Sequence, residues 1–338
     1  MYADRIQGFA GFIRVGGDWQ VGRGRKFRMY RVMAKTGVKR DNKTLNIKTV
    51  CECCHCLGSK TLHPQVSLIN LEKPELEEDA VKFEFYAILL IEDCPDGCCC
   101  CGRKYYDYSV ATMVFLTPGE IFRMGKEDTL PPKGWLLAFH PDLLFRTSLK
   151  SHIKNYTFFS YRKEEALHLS RRETSTVVCL LEHIEEELHH PIDVHTGTIL
   201  SRHIELLLDY CTRFYERQFI TRENKNKLLL ARLDRMFDEY LDSGRLSAGG
   251  LPVLAQCAAV LNLSAAYFSD LLKFETGKGL EEYFEFRRLD TARRLLSEGM
   301  HTPAEVARLL GYPNVQCFSL IFKKVVGVPP GEFRYSRN

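Results

Sequence analysis

Residues 254–277, LAQCAAVLNLSAAYFSDLLKFETG, and residues 302–327, TPAEVARLLGYPNVQCFSLIFKKVVG, are one pattern used twice. In the first, Leu254–Val260 reads as a short helix and Leu261-Asn262-Leu263 as a turn. Ser264 suits the N-cap of a second helix, because its hydroxyl can accept from a free backbone N–H of the first turn. Tyr267, Phe268, Leu271 and Leu272 fall on one side of that helix, and Gly277 lies just past its end. In the second copy, Thr302, Pro303 and Glu305 supply a cap, a first-turn proline and the third residue of a capping box. Val306, Leu309 and Leu310 keep core spacing, and Gly311 can take the positive φ of a sharp turn. A second helix over Val315–Val325 buries Phe318, Ile321 and Phe322.

A short helix, a turn and a second short helix can seat that second helix in a major groove. Once, the pattern is common. Here a capped helix from Leu280 to Ser297 joins two copies. Its rise is about 27 Å at 1.5 Å per residue, so it can hold two reading helices about one DNA turn apart, near 34 Å.

The residues Leu263-Ser264, Lys273, Glu275-Thr276-Gly277, Tyr283, Arg288-Leu289, Ala292, Leu295-Leu296, Ala307, Gly311, Phe318, Phe322-Lys323-Lys324, Gly327, Pro329 or Pro330, and Phe333-Arg334 carry a resemblance to the AraC/XylS family of transcriptional regulators. It covers about residues 230–336. HPQVSLINL (63–71), GRKYYDYSVATMVFLTPGE (102–120) and GWLLAFHPDLL (134–144) look more loosely like the cupin-type sensor domains of some bacterial members. Carried over position by position, the resemblance implies DNA contacts at Ala266, Ser269, Asp270 and Lys273 on the first reading helix. On the second it implies Asn314, Val315, Gln316, Ser319, Leu320 and Lys323. Family members often carry Arg where this chain has Asp270 and Leu320, and Arg to guanine is the commonest specific contact. Asp270 could accept from a cytosine amino group or weaken this unit. Gln316 can pair with adenine, and Val315 can touch a thymine methyl. Lys273, Lys323, Lys324, Arg334 and nearby Arg side chains are candidates for phosphate or for plain solvated cations.

Ahead of this region the texture is β. Val66–Ile69, Phe83–Ile91, Tyr105–Tyr108, Ala111–Leu116 and Trp135–Phe139 are short apolar or aromatic runs, separated by turn residues such as Pro118-Gly119. They suggest a small antiparallel barrel or sandwich. Helical spacing takes over at Arg171–His189 and again from Thr196 to Gln218. These helices can pack on the barrel, form a dimer seam, or do both. Ile220–Leu228 is polar and reads as a linker.

The 338 residues suit about two domains. No apolar run approaches a bilayer span, and no export signal is visible, so a reducing, cytoplasmic setting and free thiols are expected. The net charge of +4 is unevenly placed: residues 1–50 carry 12 Lys/Arg against 3 Asp/Glu, and residues 287–338 carry 9 against 4. The Gly-rich start is either a poorly ordered leader, with Met29 or Met33 as alternative starts, or a basic arm that meets phosphate.

Cys51, Cys53, Cys54 and Cys56, with His55, form one thiol cluster, and Cys94, Cys98 and their neighbours to Cys101 a second. Soft-metal binding or redox switching is one reading of them. The other is small apolar packing, since the spacing is not that of paired CxxC knuckles. His63 and His140 are isolated, each beside Pro, and read as structural; the His-x-His of metal-binding cupin enzymes is missing. His189-His190 suits the negative end of a helix dipole.

The expected fold is a multidomain β + α chain. Residues 1–61 form a basic leader, 62–165 a cupin-like barrel, 166–220 a helical dimerisation or packing segment, 221–229 a linker, and 230–338 an all-α double helix-turn-helix domain. The expected protein is a non-enzymatic regulator, more often activating, with no cofactor and no metal. The implied partners are double-stranded DNA, a small-molecule effector, RNA polymerase and a second copy of the chain. The rival readings are a thiol- or metal-dependent enzyme, an alkyl-acceptor repair protein with a similar DNA-binding tail, and a regulator without a ligand.

Overall fold

The computed structural model describes residues 12–15, 18–21, 44–71, 80–92, 101–104, 106–123, 133–145, 147–243, 246 and 252–335. The chain divides into two compact units, residues 1–42 and 43–338. What is described of the first is a hairpin of β1 (Phe12–Val15) and β2 (Asp18–Val21), antiparallel with Phe12 opposite Val21.

The second unit opens earlier than the sequence suggested. Residues 44–61, expected as the tail of a leader, are part of the β-rich domain. β3 (Thr44–Ile47) runs parallel to β5 (Ala80–Phe83), which pairs antiparallel with β8 (Ile121–Arg123). Between β3 and β4 (Val66–Asn70) lies α1 (Val50–Cys56), capped by Thr49, whose hydroxyl accepts from the Glu52 amide at 3.1 Å. Ile47, Val50, Cys53 and Cys54 anchor this segment in a core.

A second sheet has the order β10-β7-β6-β9-β4, antiparallel throughout. It adds β6 (Tyr86–Glu92), β7 (Ala111–Leu116), β9 (Gly134–Phe139) and β10 (Leu167–Leu169). The expected strand Phe83–Ile91 is therefore two strands. The chain bends at Glu84-Phe85 and passes from the smaller sheet to the larger. Tyr105–Tyr108, expected as a strand, is not one among the described residues. The described pairings make two sheets of five and three strands.

The five-stranded sheet is covered on both faces, so its middle strands are continuous apolar runs. All six residues of β7 are buried. Ile88, Leu90, Met113, Phe115 and Leu137 face one core, and Leu89, Val114, Leu116 and Leu136 face the other.

The first of these cores is completed by helices. A short α2 (Leu149–His152) and a 3-10 turn at Thr157–Ser160 precede β10. α3 (Arg171–His189) starts with a capping box of Ser170 and Glu173, and α4 (Thr196–Thr221) packs along it. Val177, Leu181, Ile184, Leu200, Ile204, Leu207 and Leu208 bury against the sheet.

The expected linker at 220–228 is helical. α4 ends at Thr221, and α5 (Glu223–Asp242) begins two residues later. Its polar composition misled because two of its polar residues are buried with partners. Arg222 is bonded to Asp107 through Nε at 2.8 Å and Nη2 at 2.7 Å. Asn226 donates to the Phe219 carbonyl and to Glu275.

Six further helices complete the C-terminal part: α6 (Leu254–Val260), α7 (Ala265–Thr276), α8 (Leu280–Ser297), α9 (Pro303–Leu309), α10 (Val315–Val326) and α11 (Pro330–Tyr335). Among the described residues, no helix is long and apolar enough to cross a membrane.

Candidate nucleic-acid interface

α6–α7 and α9–α10 form the two expected helix-turn-helix units, and their end chemistry follows the sequence closely. The Ser264 hydroxyl accepts from the Tyr267 amide at 3.1 Å, and Gly277 closes α7 at φ +69°. Thr302 and Glu305 make the capping box of α9, and Gly311 turns the chain at φ +68°. Asn314 caps α10, accepting from the Cys317 amide at 2.7 Å, and Gly327 ends it at φ +90°. The first turn uses a residue other than glycine: Asn262 has φ +56°, a conformation Asn tolerates better than most side chains.

The second unit is keyed to the spacer helix, and the spacer in turn to α5. Arg288 of α8 is buried. It donates to the Leu310 carbonyl at 2.7 Å and to Glu285 at 2.9 Å, and its guanidinium lies 3.6 Å from the Tyr312 ring centroid. The Tyr312 hydroxyl donates to the other oxygen of Glu285 at 2.7 Å. On the side facing α5, Tyr283 donates to Asp234 and Arg287 to Asp238. Phe237 sits against Phe284 with ring centroids 4.9 Å apart.

The residues carried over as DNA contacts separate into two groups. On α10, Gln316, Leu320, Lys323 and Lys324 are exposed, with Leu320 at 73%. Ser319 is half-buried, and Val315 packs against the core of its own unit. Asn314 is exposed but already serves as the cap. Arg334 donates to the Gly299 carbonyl at 2.7 Å, so it staples α11 to the end of α8.

On α7, Lys273 is exposed, while Ala266, Ser269 and Asp270 are half-buried. The β-rich domain engages Asp270 of this helix. Tyr161 donates to Asp270 at 2.7 Å, and Thr157 donates to the same oxygen. Burial, and then the Asp270 charge, push the Tyr161 phenol well above its ordinary range, so it remains a donor. Glu165 accepts from the Ser264 amide at 2.7 Å and from its hydroxyl at 2.6 Å. Arg162 reaches Asn262 at 3.4 Å, and Tyr161 meets Tyr267 edge-on at 5.1 Å. Nothing in the motif spacing announces Thr157, Tyr161, Arg162 or Glu165, because they lie about a hundred residues before their partners.

Behind this contact lies a buried polar node. Arg222 donates to both oxygens of Asp107 and lies 3.4 Å from the Tyr267 hydroxyl. Burial raises the Asp107 carboxyl, but the bonds and charge of Arg222 outweigh it, and the group is held below its ordinary range. His168 is fully buried, 3.9 Å from Asp107, and its Nε2 has no hydrogen-bond partner. Burial, helped by Arg222, Arg103 and Arg217, lowers its pKa to about 4 against the pull of Asp107.

Among the described residues the thiols do not form a centre. Cys53 and Cys54 are buried, and Cys54 bonds to Ser67 at 3.0 Å. Cys51 is exposed on another side of α1. Burial, then Cys54 and Cys56, push the Cys53 thiol far up. Cys94 and Cys98 lie outside the described residues. Among the described residues no three His, Cys, Asp or Glu side chains are grouped to hold a metal ion. His63 and His140 each accept a nearby backbone N–H, from Gln65 and Asp142.

Residues 257–336 match the family model described as a helix-turn-helix domain. Over 81 residues, 24% of this chain, the sequence is 38% identical to an AraC-like transcription regulator of Streptomyces lividans, covering 26% of that protein. Over 81 residues, again 24% of this chain, it is 33% identical to the HTH-type transcriptional regulator YobQ of Bacillus subtilis, covering 34% of it. The chain thus spans between a quarter and a third of the length of these two curated relatives. Among solved structures, ToxT from Vibrio cholerae aligns with 80% of this chain and 97% of its own, at 14% identity and a TM-score of 0.28.

Proposed function

The C-terminal part of the chain, residues 257–336, is an AraC-type helix-turn-helix DNA-binding domain, and from that premise we propose that the whole protein is a sequence-specific transcriptional regulator. The observation that carries the reading is the matched pair of units. Two 12-residue reading helices, α7 and α10, have polar caps and left-handed glycine ends, and an 18-residue α8 joins them. On this reading α7 and α10 enter successive major grooves. Gln316 pairs with adenine, the exposed Leu320 takes the thymine methyl first assigned to Val315, which packs in the core of its unit, and Lys273, Lys323 and Lys324 neutralise phosphates.

The remaining assignments rest on this one. The domain boundary falls at the α4–α5 junction. The β-rich domain acts as a cupin-like sensor for a small-molecule effector. An effector shifts occupancy only by favouring one domain arrangement over another. The regulator activates through RNA polymerase. The outer face of α4, with Ile199 and Leu206 partly exposed, meets a second copy.

Selection of the folded full chain against random duplexes at moderate salt tests the core of the proposal. The expected result is an enriched motif with A·T pairs where Gln316 and Leu320 read, the pair read by Gln316 alone losing its preference in Gln316→Ala. No enrichment of any duplex, with folding verified by circular dichroism, overturns it. Sedimentation of the same sample tests the second copy, which a monomer at the working concentration removes.

A further inference from the structure

The two reading helices are not equally available. α10 presents Gln316, Leu320, Lys323 and Lys324 in the open, whereas on α7 Asp270 is engaged by the β-rich domain and Lys273 alone of the four carried-over residues is exposed. Glu165 takes both the backbone N–H and the hydroxyl of Ser264 at the start of α7. A carboxylate held by an N-terminal amide and a hydroxyl offers what a DNA phosphate oxygen would offer there: a negative charge accepting from a helix start. Ser264 and Glu165 are both more than nine-tenths buried, which leaves no room for a duplex backbone beside them. Nearly two turns along, one oxygen of the Asp270 carboxylate takes the hydroxyls of both Thr157 and Tyr161. All four covering residues, Thr157, Tyr161, Arg162 and Glu165, belong to one stretch between α2 and β10.

We infer that residues 157–165 are an autoinhibitory strap that competes with DNA for α7, with Glu165 standing in for a backbone phosphate. The inference rests on the regulator reading and adds its control point. In the docked arrangement the chain engages DNA through α10 alone. Two-groove binding requires the strap to leave α7, so whatever rearranges the β-rich domain around residues 157–165 switches the first unit on. The chemistry favours a switch over permanent closure. The strap's bonds are to charged or polar groups that water or phosphate can satisfy once α7 is free.

The test uses the full chain and duplexes enriched by the selection above. Thr157→Ala/Tyr161→Phe removes both donors to Asp270 and keeps the tyrosine ring in the aromatic packing. Glu165→Gln, as an independent variant, removes the charge at Ser264 while keeping its shape. Wild type is expected to protect one major-groove segment. Both variants are expected to bind roughly tenfold more tightly, since a lost bond to a buried charge removes about one decade of closure. Their footprint should lengthen by about one helical turn, roughly 10 base pairs, and their affinity should fall more steeply with salt as added phosphate contacts release more counterions. Folded variants with wild-type affinity and wild-type footprint overturn the strap and leave the regulator reading standing. A wild-type chain that already protects two consecutive grooves does the same. Failure of every chain on every duplex overturns both.

Discussion

Gly311 and Gly277 both adopt a left-handed backbone, at φ +68° and +69°, yet they do different work. Nothing lies within 4 Å of a Cβ built at Gly277, whereas one at Gly311 would sit 2.5 Å from the Leu246 carbonyl oxygen. Gly277→Ala should therefore cost only the backbone term, about 1 kcal/mol. Gly311→Ala should add a collision with main chain and cost at least about 3 kcal/mol. Urea unfolding of the two variants checks the order, and equal losses would contradict the close approach. The need for glycine is legible in the turn pattern; the Leu246 carbonyl is not, because it comes from 65 residues upstream. Asp270 makes the same point at the interface. Its place among the DNA contacts is what the family resemblance implies, but its bonds to Thr157 and Tyr161 cross more than a hundred residues.

At the scale of elements, caps and periodicity were good guides. α3, α6 and α8 have the bounds that apolar spacing and end residues suggest. Strands were harder. In a sheet covered on both faces the alternation that would mark register is absent, and a change of sheet at Glu84-Phe85 looks like one long run. Charged residues on helices were ambiguous for a related reason: a solvated cation, a phosphate contact and an internal strut share one letter. Arg288 proves to be a strut between α8 and the turn of the second unit, through Leu310, Glu285 and Tyr312. Lysine cannot reproduce a forked donor lying flat on a ring. Arg288→Lys should lower stability by about 1–3 kcal/mol. Thermal unfolding reads this directly, and an unchanged midpoint would return Arg288 to the surface.

Over the whole molecule, the junction of the β-rich and helical parts is held by a node that responds to acid. His168 is kept neutral with its pKa lowered to about 4, from an ordinary value of 6.5. Between those values the unfolded chain binds more protons than the folded one, so stability rises with pH across the window. Its contribution is complete above about pH 6.5 and is lost progressively toward pH 4. Between pH 7 and pH 5 the folded chain should lose on the order of 2 kcal/mol from this group. Asp107, also held low, withdraws its contribution only at still lower pH, below its ordinary carboxylate range. Urea midpoints at pH 7 and pH 5 measure the loss, and His168→Gln should flatten the difference. A wild-type chain equally stable at both values would refute the assignment.

The order of letters by itself determined the two helix-turn-helix units, their caps, the spacer helix and the Phe318 and Phe322 side that α10 buries. These are local: each depends on residues within a turn or two, where spacing and side-chain type fix the geometry. Tertiary structure alone decided that residues 44–61 join the β-rich domain, that Arg222 and Asn226 turn a polar stretch into a buried helix junction, and that α7 meets Glu165 and Tyr161. Each of these is a bond between groups distant in sequence, and its energy exists only once burial has removed the water that would otherwise satisfy both partners.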